Sequence, residues 1–205
     1  MADEAPSIGV LISGRGSNLQ ALIDAIAHGQ LRARIAVVIS NKATAAGLAR
    51  ASEAGIETVV VDHRQFASRD DYDRRLVEEL RARRVVLVCL AGFMRLVGAP
   101  LLEAFPNAIL NIHPSLLPAF PGVDAQRQAL DHGVKVSGAT VHLVTRELDG
   151  GPILLQSAVP VKPDDTVETL SARILEEEHR LYPRAVQMIL DGRWTLKGRR
   201  MKEEG

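Results

Sequence analysis

The chain is short of the features that announce several common kinds of protein. Of its 205 residues only Cys89 is a cysteine, so no disulfide can form within it. That thiol lies in the apolar run VVLVCLAG, where buried packing is its expected role. There is no surplus of either charge, since Lys plus Arg and Asp plus Glu each total 25. This excludes a nucleic-acid binder that works by bulk positive charge, but leaves room for a local pocket for one small anion. No apolar run approaches the roughly 20 residues of a membrane span. The start, MADEAPS, is acidic and has no apolar core of a secretory signal. The six histidines show no H-x-x-x-H spacing and there is no C-x-x-C pair, so no metal site is expected. These absences point to a soluble cytoplasmic protein without nucleic-acid or membrane partners.

What is present is a core-forming pattern. Hydrophobic residues make up 46% of the chain, enough for one domain over residues 1–205. Short apolar runs at residues 8–13, 34–39, 56–61, 85–90 and 108–112 read as strands. Helical spacing follows at residues 19–29, 43–54, 70–83 and 100–105, and again at 123–132. This alternation predicts a Rossmann-like α/β fold: a doubly wound, mainly parallel sheet with helices on both faces. Two strands at residues 135–144 and 152–159 are set to add an antiparallel or mixed edge. A long helix over residues 166–190 is expected to kink or break at Pro183. The basic tail LKGRRMK is open between disorder and an edge strand.

The first strand runs into SGRGSNL. Gly14 and Gly16 match G-x-G, but Leu19 stands where a dinucleotide fingerprint has its third glycine. The second strand ends in Ser40-Asn41-Lys42, without the acid that would hold a ribose. Both discriminating positions fail, and no Walker A lysine follows. A single phosphate at the helix N-terminus suits the loop better. The plain alternative is a tight turn capped by Ser17 or Asn18.

ILNIHPSLLP places Asn111 and His113 on one face of a strand as the chain leaves the sheet. They form either a structural corner or a catalytic pair. Asp149, in ELDGGP, is a turn residue that could also serve as an acid. It reaches His113 on one rim if the strand before it runs parallel to the strand before His113. An aspartate there would raise the imidazole pKa, and a cationic His with an Asn amide can stabilise an oxyanion. His142, on a strand, has room to lie near the site but reads as structural.

SGRGSNLQALIDA, SNK, AGFMRL, ILNIHPSLLP, TVH, LDGGPILLQ and EEEHRLYP occur in one order over about residues 8–192. In this the chain resembles the folate-dependent phosphoribosylglycinamide formyltransferases. The resemblance implies formyl transfer from 10-formyltetrahydrofolate, as co-substrate and without a metal, to the amine of glycinamide ribonucleotide in purine synthesis. It assigns Gly16, Ser17 and Asn18 to the phosphate and Glu178 to the ribose. Arg69, Met94, Arg95, Leu96 and Val97, with Asn111, Arg146, Glu147 and Leu148, match folate positions. His113 matches the proton donor, Asn111 its partner, and Asp149 the acid beside them. Partners are then small molecules, and the assembly a monomer or homodimer. The loop Ala119-Phe120-Pro121-Gly122-Val123-Asp124-Ala125-Gln126 departs from the family, and its contacts are not carried over. Related hydrolases normally add an N-terminal regulatory domain, and related tRNA formyltransferases a C-terminal one. Neither is expected here, and a non-catalytic nucleotide-binding module is disfavoured by the intact trio.

Overall fold

The computed structural model describes residues 5–203; the acidic residues 1–4 and the last two residues lie outside them. Among the described residues nine strands form one sheet: β1 (Ser7–Ile12), β2 (Arg34–Ser40), β3 (Thr58–Val60), β4 (Leu87–Leu90), β5 (Ile109–His113), β6 (Val136–Leu143), β7 (Ile153–Pro160), β8 (Trp194–Lys197) and β9 (Arg200–Glu203). Their order is β3-β2-β1-β4-β5-β6-β7-β9-β8. The first five are mutually parallel. Beyond them β6 runs antiparallel to β5 and β7 antiparallel to β6, in keeping with the close spacing of those two segments. The chain reverses its winding between β1 and β4, and ligands of open α/β sheets sit at such a point.

Period-2 alternation sorts the strand residues onto two faces. Ile8, Val10 and Ile12, with Leu87, Cys89, Leu110 and Ile112, pack under α1 (Ser17–Ala27), α2 (Gly47–Glu53), α5 (Ala125–Asp131) and α6 (Val167–Asp191). Leu11, Val88, Leu90 and Ile109 pack on the other face, against α3 (Arg69–Ala82) and α4 (Ala99–Ala104). Cys89 is fully buried in the first cluster and its thiol is pushed up to about 12 by burial, as expected of a packing residue.

Two expectations change. α2 starts at Gly47, not residue 43, because the Gly47 N–H is taken by the Gly14 carbonyl (2.9 Å) of the first loop. Pro183 does not break α6. The turn around it buries Leu181, Tyr182, Ala185 and Val186, and Tyr182 Oη donates to the Leu90 carbonyl at 2.9 Å. Tertiary burial outweighs the lost helical hydrogen bond. Of the two readings open for the basic tail, the edge strand is the one that forms: a β8–β9 hairpin joins the sheet edge through Ile153 and Arg200.

Candidate active site

Three loops leave the carboxyl ends of adjacent parallel strands. The glycine loop follows β1, residues 91–98 follow β4, and His113 ends β5. Gly16, with φ of 72°, is the N-cap of α1, and no side chain caps that helix. The turn capped by Ser17 or Asn18 is therefore not what forms. A Cβ on Gly16 would stand 2.6 Å from Gly47 Cα, so the close approach of the two backbones requires glycine. Asn18 is buried and its Nδ2 donates to Glu178 Oε2 at 2.7 Å, a contact that spans 160 residues. Asn18 Oδ1 has no partner among the described residues. Burial pushes the Glu178 carboxyl above the ordinary range, against the Asn18 amide and Arg15.

On β5, Asn111 and His113 continue the face of Ile109, as strand alternation predicts. The condition set for Asp149 to reach His113, a parallel strand before it, is not how the acid arrives. β6 is antiparallel to β5, with Asn111 opposite His142 and His113 opposite Thr140. Asp149 comes instead from the β6–β7 loop, and its φ of 48° is one of several left-handed positions around the site, with Phe120 and Asp124. Gly122 N–H donates to Asp149 Oδ2 at 2.7 Å. That oxygen lies 3.4 Å from His113 Nδ1, and Oδ1 lies 3.6 Å from His142 Nε2.

His142 is the residue that the sequence undervalued. Its Nδ1–H donates to the Leu143 carbonyl (2.9 Å), which leaves Nε2 to accept from Asn111 Nδ2 at 3.1 Å. The signal was its place on a strand, but only the register across to Asn111 makes it legible. His113 Nε2–H donates to the Phe120 carbonyl at 2.8 Å. The 114–124 loop that supplies this carbonyl is tied down by Thr140, which donates to the Ser115 carbonyl (2.7 Å) and accepts from Leu117 N–H (3.1 Å).

The electrostatics differ from expectation in one respect. Burial is the largest influence on His113 and holds its pKa below the ordinary value; the Phe120 carbonyl and Asp149 pull upward but do not win. For Asp149 burial is also the largest single influence and pushes upward. His142, the Gly122 N–H and His113 together outweigh it, and the carboxyl stays below its ordinary value.

The residues assigned to folate are spread along the same rim. Met94, Leu96 and Leu148 are exposed at 67%, 51% and 55%, unusual for large apolar side chains. Arg69 begins α3 beside Gly98, and Arg95 and Val97 flank Leu96. Arg146 pairs with Glu103, and Glu147 with Arg199, both at 3.2 Å on the exposed side.

A doubly wound sheet with a glycine loop at the start of a helix and a His–Asp–Asn cluster on one rim fits a group-transfer enzyme. The chain belongs to the formyl transferase family, whose sequence model it matches over residues 7–186. It is 44% identical to the phosphoribosylglycinamide formyltransferase of Escherichia coli (strain K12), over 97% of each chain. It is 50% identical to the trifunctional purine biosynthetic protein adenosine-3 of Drosophila melanogaster over 90% of its own length, but spans only 14% of that protein. Among solved structures, glycinamide ribonucleotide transformylase 1 from Symbiobacterium toebii matches with a TM-score of 0.97 at 56% identity, covering 99% of this chain and 96% of that one.

Proposed function

We propose that this chain transfers the formyl group of 10-formyltetrahydrofolate to the amine of 5-phosphoribosylglycinamide, in de novo purine synthesis. The observation that carries the reading is the meeting of Asp149 with His113 at 3.4 Å on the face that also holds Asn111. Similarity to the Escherichia coli enzyme over 97% of both chains supports the substrate assignment.

Gly16, Ser17 and Asn18 hold the phosphate at the uncapped start of α1, where backbone N–H groups and the helix dipole favour an anion. Glu178 takes the ribose hydroxyls, and Asn18 Oδ1 offers an acceptor that no described residue uses. The folate lies against Arg69, Met94, Arg95, Leu96, Val97, Arg146, Glu147 and Leu148, whose exposed apolar members suit a flat ring system.

The amine attacks the formyl carbon. Asn111 Nδ2 and a protonated His113 donate to the oxyanion, the Phe120 carbonyl giving up its place on Nε2 to the substrate oxygen. Asp149 stabilises the imidazolium. The attacking nitrogen loses a proton through water to the Asp149 side. The bond from carbon to folate N10 breaks as N10 takes the His113 proton. Alignment of two bound substrates supplies much of the acceleration. No step needs a metal. The enzyme works as one domain over residues 1–205, in the cytoplasm, as a monomer or homodimer, with small molecules as its partners.

The test mixes protein, 10-formyltetrahydrofolate and the ribonucleotide. Folate release that depends on the ribonucleotide is expected. Release without it marks water as the acceptor and a hydrolase. Ribonucleotide binding without release would leave only a binding module.

A further inference from the structure

We infer that Ser13 and Asn41 are positioning residues that hold the folate-side loop against the phosphate-side loop. This rests on the function proposed above. Neither residue is placed in contact with a substrate.

Ser13 is the first residue after β1 and directly precedes Gly14 of the phosphate-side loop. Its main chain and side chain both grip the segment after β4. The Ser13 N–H donates to the Gly92 carbonyl at 3.1 Å, and Ser13 Oγ accepts from the Met94 N–H at 2.8 Å. Asn41 decides which way that hydroxyl works. Ser13 Oγ donates its one proton to Asn41 Oδ1 at 2.6 Å, so its lone pairs are left for Met94. Asn41 follows β2 and is itself steadied by His63, with Nδ2 at 3.4 Å from Nδ1. Ser13 is 5% exposed and Asn41 2%, so water cannot replace either partner cheaply.

The far end of the same loop is also pinned. Gly98 N–H donates to Asp73 Oδ2 at 2.6 Å, and a Cβ on Gly98 would stand 2.8 Å from that oxygen. Between the two anchors Met94 and Leu96 remain exposed. The backbone is held by buried side chains while its apolar side chains are left to a ligand. One hydroxyl thus joins the ends of β1, β2 and β4, and Asn41 occupies the place after β2 where a dinucleotide site would carry its acid. Holding the two loops in register is what a two-substrate transfer requires.

The experiment varies each substrate in turn for the wild type, Ser13→Ala, Ser13→Thr, Asn41→Ala and the Ser13→Ala/Asn41→Ala double variant. Ser13→Ala should raise KM for 10-formyltetrahydrofolate about three- to tenfold, the worth of one net hydrogen bond, and leave KM for the ribonucleotide unchanged. Ser13→Thr keeps the hydroxyl and should restore most of the loss. The double variant should be no worse than Ser13→Ala, because Asn41 acts through Ser13. Amide exchange should speed up at Met94 and not at Gly98. Unchanged folate KM, equal rises in both KM values with a lower Tm, or additive losses would each overturn the inference. A wild type that releases no folate with the ribonucleotide refutes the parent reading before any variant is compared, and the inference falls with it.

Discussion

Asp149 Oδ2 lies 3.4 Å from His113 Nδ1 while the Phe120 carbonyl accepts from Nε2 at 2.8 Å. Two acceptors flank one imidazole, and only its cation satisfies both. Burial opposes that cation and wins, so the pKa lies below the ordinary value. Neutralising Asp149 removes a charge that works against burial, and so lowers the His113 pKa further. Activity that needs protonated His113 is lost as pH rises through that pKa. Asp149→Asn should therefore move the alkaline limb of the pH–kcat profile to lower pH and cut kcat on the order of 10²-fold. A limb that stays in place would falsify the coupling.

His142→Ala should cost turnover although His142 is not assigned to the substrate. It removes the acceptor of Asn111 Nδ2 and a neighbour of Asp149. A freed amide donor at the oxyanion position should lower kcat about tenfold, with a stability loss of about 1–3 kcal/mol for the unpaired polar group. Chemical denaturation and steady-state kinetics read the two effects separately. An unchanged kcat would return His142 to a purely structural role.

Glu178→Gln should stabilise the fold and weaken the ribonucleotide. The folded pKa of Glu178 is raised by burial, so the stability linked to it is full below the unfolded pKa and lost as pH rises through the folded one. Glutamine stays neutral and keeps an oxygen for Asn18 Nδ2. The gain near pH 8 should be on the order of 1 kcal/mol, roughly 2–4 °C in Tm, and should vanish near pH 4. KM for the ribonucleotide should rise about tenfold. A Tm shift that ignores pH would point to some other cause.

Gly16→Ala should damage the phosphate loop. The new Cβ meets Gly47 Cα at 2.6 Å, and φ of 72° strains any other residue by about 1–2 kcal/mol. Lower Tm with a raised ribonucleotide KM is the expected outcome. Gly14→Ala is the control, since a Cβ there meets nothing within 4 Å.

The residues themselves carried much of this. Alternating short apolar runs and helical spacing identified the doubly wound sheet, because burial on both faces demands continuous apolar strands. Strand alternation alone puts Asn111 and His113 on one face. The missing third glycine and the absent acid after β2 turned the first loop away from dinucleotides. These are local properties, and local spacing records them.

Only the tertiary structure decided the rest, because it depends on which distant segments pack together. The antiparallel direction of β6, the pairing of Asn111 with His142 and the return of Asp149 to His113 are matters of register and loop path. The depressed His113 pKa is a sum over burial and three neighbours from separate segments. The unbroken α6 at Pro183 was won by packing against propensity, and pairing with β7 chose the edge strand for the tail. The Ser13–Asn41 pair needed the sheet to bring the ends of β1, β2 and β4 side by side.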